Sequence, residues 1–178
     1  MLVTSADPSH AGYVLECLKH NKYVFCEKPL APTAEAASAS LTRRLPRASS
    51  LCRLDLVRRY DPGYRQLKQA IQSHQYGEPL LLHCAHRNAS ITEPWDNSSA
   101  VENSMVHEID VLRWLLGENY ASAEVRFGKS TRKAKEGLHD PQTMILTTES
   151  GVRIDVESLF ATDNAMISAA RWFAKMPY

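Results

Sequence analysis

The sequence predicts an α/β fold in two parts: half of a doubly wound parallel sheet over residues 1–55, then an α+β domain with a mainly antiparallel sheet over residues 56–178. Three observations carry that prediction. The first 41 residues alternate strand, helix, strand, helix, the rhythm of a doubly wound sheet. From about residue 60 the rhythm changes. Near the C-terminus, "QTMILTTESGVRIDVESLF" places two apolar runs around a Ser-Gly turn, which reads as two strands.

Element by element, "MLVTS" opens as a strand, and "SHAGYVLECLKHN" sets Ala11, Val14, Leu15 and Leu18 at helical spacing with Asp7 or Ser9 as candidate caps. "YVFC" is a four-residue β-type run, apolar on both faces, as expected of a parallel strand covered by helices. A second helix starts near Pro32 and Thr33, whereas "SASLTRRLPRASSLCRLDL" offers no good strand. "DPGYRQLKQAIQS" is a short amphipathic helix with Tyr64, Leu67 and Ile71 on one face, and "EPLLLHCAHRN" is a strand. "NSMVHEIDVLRWLLG" is a strong helix: Met105, Ile109, Leu112 and Leu116 form the expected buried stripe, Asn103, His107 and Asp110 fall on another face, and Gly117 is its stop.

Composition excludes several classes. With 44% hydrophobic and 23% charged residues, a 178-residue chain reads as globular and large enough to bury a core. Lys+Arg 21 against Asp+Glu 20 gives no global attraction to nucleic acid or an anionic membrane. Arg43, Arg44, Arg47, Arg53, Arg58 and Arg59 make a local basic run, but with little aromatic interleaving, so no nucleic-acid partner is expected. No apolar stretch approaches the ~20 residues of a membrane span and the N-terminus lacks the pattern of a signal peptide, so the expected location is cytoplasmic, with no membrane partner. The four cysteines are scattered without C-x-x-C pairing and suit reduced thiols. His83 and His86 sit three apart on a strand and point to opposite faces, so no metal site is expected.

In open α/β sheets ligands bind at the carboxyl ends of the strands, where both "TSADPSH" and the Glu27-Lys28-Pro29 corner lie. A helical histidine such as His107 is by itself more often a structural hydrogen-bonder than a catalyst. Its weight changes when it is taken together with Lys28. "VTSADPSH", "YVFCEKPLA", "RRYDPGY", "CAHRN", "HEIDVLRWLLG" and "DPQ…ESGVRIDVE" stand here in the order they have in the Gfo/Idh/MocA oxidoreductases, which the chain resembles over most of its length. Within that family the resemblance is strongest to the bacterial enzymes that oxidise inositol at its 2-hydroxyl.

The resemblance implies a Rossmann domain for a nicotinamide cofactor, NAD or NADP, of which residues 1–55 would be the C-terminal half. It further implies an α+β domain for a polyol or sugar, and homo-oligomers among intact relatives. Lys28 would orient and polarise the reacting hydroxyl and His107 would remove its proton. Arg58, His86 and Asn88 would hold the polyol. Ser5, Pro8 and His10, with Glu27 and Lys28, would flank the nicotinamide end, and a cis bond before Pro29 would set the lysine's direction.

Three departures from the family pattern modify that expectation. Asn103 stands four residues before the histidine, where the family carries aspartate, and an amide cannot neutralise an imidazolium. There is no G-x-G-x-x-G; by the resemblance, the glycine-rich turn would precede the opening strand, so the half sheet is expected to expose an unpaired edge and to bind cofactor poorly alone. Two stretches, "SASLTRRLPRASSLCRLDL" and "AMISAARWFAKMPY", match nothing. One codon choice for Leu51–Leu56, CTG TGC AGG TTG GAT TTG, contains GTG CAG GTT GGA TTT in a shifted phase, a family-like Val-Gln-Val-Gly-Phe strand. The stretch from Met166 to Phe173 relates in the same way to Tyr-Asp-Ile-Arg-Cys-Glu-Val-Val. The chain is therefore expected to derive from a frameshifted gene or gene model, with the phase restored near Val57 and lost again after about Asp163. Three readings stay open: an impaired polyol dehydrogenase, a non-catalytic remnant of one, or a family member acting on another sugar.

Overall fold

The computed structural model describes residues 1–41, 51–88, 96–160 and 167–175. Arg43, Arg44 and Arg47 of the basic run, and the points proposed for the second phase change around Asp163, lie outside the described residues. The chain divides into two compact units, Met1–Val57 and Arg58–Tyr178.

In the first unit, β1 (Leu2–Val3), β2 (Val24–Cys26) and β3 (Cys52–Leu54) form a parallel sheet in the order β1-β2-β3, with α1 (His10–Lys19) and α2 (Ala34–Leu41) between them. Val14 and Leu18, one turn apart on α1, pack in one cluster with Val3, Val24, Cys26 and Leu30. Two expectations are corrected in β2 and β3. Val24 and Cys26 are buried but Phe25 between them is 38% exposed, so β2 alternates rather than being covered on both faces. The stretch read as having no good strand contains β3, whose Cys52 and Leu54 pack against the core while Arg53 faces out; a three-residue alternation is enough once β2 supplies its ladder. Neither Asp7 nor Ser9 caps α1. A 3₁₀ turn at Asp7–Ser9 leads straight into the helix, leaving Ser9 in helical rather than extended backbone, and its hydroxyl donates to the Ala6 carbonyl at 2.7 Å.

In the second unit, α3 (Pro62–Gln72) is capped by Asp61, whose carboxylate accepts from the Gly63 and Tyr64 amides at 2.8 and 3.1 Å. It precedes β4 (Glu78–Arg87). A helical turn at Asn97–Ser99 and a π-helical stretch at Ala100–Met105 then run into α4 (Val106–Leu116), ended by Gly117 in the left-handed conformation. β5 (Tyr120–Phe127), β6 (Gln142–Thr148), β7 (Arg153–Leu159) and β8 (Ile167–Lys175) complete a sheet of order β5-β6-β7-β4-β8. Only the β4–β7 pairing is parallel. β5 escaped sequence reasoning because it is an edge strand with little burial and hence little alternation.

The buried stripe of the long helix differs from the expected one. Met105 and Leu112 are buried as predicted, but Ile109 and Leu116 are only partly so; Glu108, Val111 and Leu115 take their places, rotating the stripe by one residue. Periodicity alone rejects a buried glutamate, and this one is tolerated because it is paired. Against the stripe pack Leu82 and Cys84 of β4, Met144 and Leu146 of β6, and Ile154 and Val156 of β7, each pair two residues apart and so on one sheet face. Leu112→Ala, which empties a fully buried site, is expected to lower unfolding stability by about 2–5 kcal/mol. Asp61→Ala, which removes only the cap, should cost about 1 kcal/mol. Urea denaturation checks that ranking.

Candidate active site

Two loops leave the carboxyl ends of adjacent parallel strands in the first unit. Val3 of β1 lies opposite Cys26 of β2, so the chain emerging at Thr4-Ser5 runs beside the chain emerging at Glu27-Lys28. A buried histidine ties them. His10, 1% exposed, places Nδ1 2.7 Å from the Pro29 carbonyl and Nε2 2.8 Å from the Ser5 carbonyl. Both edges of the ring are thus engaged by backbone on the two loops. Ser5 and Pro8 are exposed, with the Ser5 hydroxyl 2.6 Å from that of Ser9. Glu27 accepts from the Lys28 amide at 3.1 Å, both are half-buried, and the Lys28–Pro29 bond is cis.

The second unit gathers its candidates at one end of the helix–sheet layer. Along the inner face of β4, Leu82 and Cys84 are followed by His86; along α4, Leu115 and Leu112 are preceded by Glu108. The layer therefore turns from apolar to polar within one step of strand and one turn of helix. There Glu108, 2% exposed, accepts from an Arg58 guanidinium nitrogen and lies 3.0 and 3.1 Å by its two oxygens from His86 Nδ1. Arg58 reaches the same ring nitrogen at 3.2 Å. Two residues beyond His86, Asn88 donates to the Ser104 hydroxyl at 3.4 Å, and its amide holds the Leu159 carbonyl at 2.9 Å. Asn103 and His107 are half-buried on the π-helical stretch and the first turn of α4. Arg59 forms a two-pronged ion pair with Asp110.

Burial pushes against ionisation of Glu108, but the His86 hydrogen bond, the charge of Arg58 and the Arg58 hydrogen bond together prevail and hold its carboxyl below the ordinary value of 4.5. The reverse holds for Cys84, whose thiol burial pushes up to about 12, leaving it a packing residue and no nucleophile. The structure therefore brings Arg58 and His86 together around a carboxylate, joins Asn88 to the π-helical stretch that leads into the helix bearing His107, and fastens the Ser5 loop to the Lys28-Pro29 corner. Glu108 and Ser104 were not picked out from sequence. For Glu108 the available signal was an acidic residue three places after Met105 and four before Leu112, where a buried charge demands a partner. Among the described residues no cluster of metal-ligating side chains occurs, and no helix is long and apolar enough to cross a membrane.

Because its folded value is depressed, Glu108 contributes stability that is present above the ordinary glutamate range and lost as pH falls through the folded value. The second unit is expected to weaken on acidification below about pH 4.5. In Glu108→Gln that acid limb should flatten, as followed by urea midpoints from pH 7 to pH 3.

Comparison with known proteins gives this geometry a context. Residues 1–52 match the oxidoreductase family, NAD-binding Rossmann fold, and residues 64–173 match the GFO/IDH/MocA C-terminal domain. Inositol 2-dehydrogenase of Burkholderia cenocepacia (strain HI2424) is 51% identical over 157 residues, covering 88% of this chain and 47% of the relative. That of Pseudomonas fluorescens (strain SBW25) is 46% identical over the same shares. The chain thus spans about half the length of the curated relatives it matches. The crystal structure of myo-inositol dehydrogenase from Lactobacillus casei in complex with NAD(H) and myo-inositol superposes with a TM-score of 0.90 at 30% identity, over 98% of this chain and 52% of that one. A probable dehydrogenase from Thermotoga maritima, at 22% identity and a TM-score of 0.87, shares the fold. By the match of its C-terminal domain over more than half its length, and of its N-terminal residues to part of the Rossmann domain, the chain belongs to the Gfo/Idh/MocA family of oxidoreductases.

Proposed function

We propose that this chain carries the alcohol-binding pocket and the catalytic lysine and histidine of an NAD- or NADP-dependent polyol dehydrogenase of the inositol 2-dehydrogenase type. The observation that carries the proposal is the buried Arg58–Glu108–His86 cluster, built at the polar end of the α4–β4 layer and adjacent in sequence to His107. A polyol presents several hydroxyls, each donor and acceptor, and suits a pocket that offers guanidinium, imidazole and amide groups together. Arg58, His86 and Asn88 hold the non-reacting hydroxyls. Lys28 orients and polarises the reacting hydroxyl, and the His107 imidazole takes its proton. An amide at position 103, four residues earlier, can hydrogen-bond the ring but cannot neutralise an imidazolium, which makes His107 a weaker base than one backed by aspartate.

For the cofactor, the residues present fit one end. The adjacent carboxyl ends of β1 and β2, fastened together by His10, are where an α/β sheet receives a ligand. Ser5, Pro8, His10, Glu27 and Lys28 there form or support the wall at the nicotinamide end. A bound nicotinamide supplies the hydride acceptor for alcohol oxidation. No G-x-G-x-x-G exists among the 178 residues to grip a pyrophosphate. Asn103, which cannot neutralise an imidazolium, favours a second reading, in which the chain is a non-catalytic remnant of such an enzyme. Homo-oligomerisation, a property expected of intact relatives, forms part of the first reading.

Incubating the purified chain with myo-inositol and NAD or NADP and following reduced-cofactor absorbance tests the first reading, with slow, inositol-dependent reduction as the expected result. His107→Ala should lower that rate about 10²-fold or more. Asn103→Asp should raise it, and an unchanged or lower rate would sink the role given to Asn103. If the chain neither reduces the cofactor nor changes NADH fluorescence on mixing, the remnant reading stands; reduction with another sugar in place of inositol reassigns the substrate.

A further inference from the structure

We infer that Glu108 is a positioning residue that holds His86 as the Nδ1–H tautomer, so that the ring presents Nε2 as a hydrogen-bond acceptor and takes an O–H group rather than a carbonyl. The inference deepens the polyol reading above and, for its substrate consequence, rests on it.

Three groups meet at His86 Nδ1. The two Glu108 oxygens lie at 3.0 and 3.1 Å and an Arg58 nitrogen lies at 3.2 Å. A guanidinium only donates and a carboxylate only accepts. Nδ1 can satisfy one kind of partner, not both. If it carried a lone pair, it would accept from Arg58 and face two carboxylate oxygens, three acceptors converging in a site where Glu108 is 2% exposed. If it carries the proton, it donates into the carboxylate, and Arg58 is still satisfied because another of its nitrogens already donates to Glu108. Glu108 is ionised at neutral pH, its carboxyl held below the ordinary value by His86 and Arg58 against the opposing effect of burial. The second arrangement therefore wins: the proton sits on Nδ1.

In the neutral ring this leaves the Nε2 lone pair as the group His86 offers to a ligand. An acceptor there is satisfied by a hydroxyl proton; a ketone or carboxylate oxygen brings none and would leave Nε2 unpaired, the kind of mismatch on which polar pockets discriminate most strongly. Arg58, fixed by the same carboxylate, offers only donors. Glu108 thus gives the pocket one donor side chain and one acceptor side chain without itself touching the substrate.

The test is a long-range ¹H–¹⁵N correlation spectrum of the histidine rings in the uniformly labelled chain at neutral pH, with no substrate or cofactor. The His86 signals are assigned by through-bond correlation. The expected result is a proton on Nδ1 and the strongly downfield, unprotonated resonance on Nε2. A proton on Nε2, alone or together with one on Nδ1, overturns the inference. In Glu108→Leu no acceptor is left and Nδ1 faces only the Arg58 donor, so the downfield resonance should move from Nε2 to Nδ1; a tautomer unchanged in a folded variant also overturns it. If the variant does not fold, the unsubstituted chain alone decides. Because the spectrum is read without substrate, failure to oxidise inositol bears on the proposed function and leaves this result standing.

Discussion

A carboxylate in the interior is the constraint around which the second unit is organised. Taking an ionised glutamate out of water costs several kcal/mol even after the protein relaxes, and only good geometry with hydrogen-bonded partners of opposite charge offsets it. Glu108 finds the opposite charge in Arg58, just before α3, and a further hydrogen-bond donor in His86, on the interior strand β4. The ion cluster therefore joins three separate elements at one point. Positions 58, 86 and 108 are mutually dependent: removing one partner strands a buried charge, which is far worse than never having built the cluster. A second, more exposed pair, Arg59 with Asp110, repeats the connection one step away.

The same constraint explains where sequence reasoning stopped. Strong periodicity made α3, α4, β4 and the β6–β7 hairpin legible, since each has a face that must be buried. Gly117 marked the end of α4 through backbone chemistry that few other residues can supply. The stripe on α4 was misplaced by one residue because hydropathy ranks glutamate as a surface residue, and only knowledge of Arg58 and His86, 50 and 22 positions away, makes position 108 an interior one. β3 and β5 were missed for the opposite reason. Their local patterns are weak, and ladder hydrogen bonds from a neighbouring strand supply what the side chains do not.

The candidate site was legible in its residues but not in its wiring. Arg58, His86, Asn88, Lys28 and His10 were all singled out through resemblance, yet none of their contacts could be read from spacing. His10 is the clearest case. Resemblance set it among the residues flanking the cofactor, whereas its ring lies inside, between the Ser5 and Pro29 carbonyls. From there it holds two loops together. Residues that orient other residues leave little trace in a linear pattern, because their partners are brought to them only by the fold.

The two sides of the proposed reaction fall on different units of the chain. On the alcohol side, Arg58, His86 and Glu108 form a hydrogen-bonded cluster within one unit. On the cofactor side, His10 ties the carboxyl ends of β1 and β2 together within the first unit. The chemistry follows the same division. Recognition of a polyol can be complete where its donors and acceptors are complete, whereas hydride transfer also needs the cofactor held to within fractions of an ångström. Under the proposed reading, the two requirements are therefore met by different groups of residues, the hydroxyl partners in the second unit and the loop tie in the first.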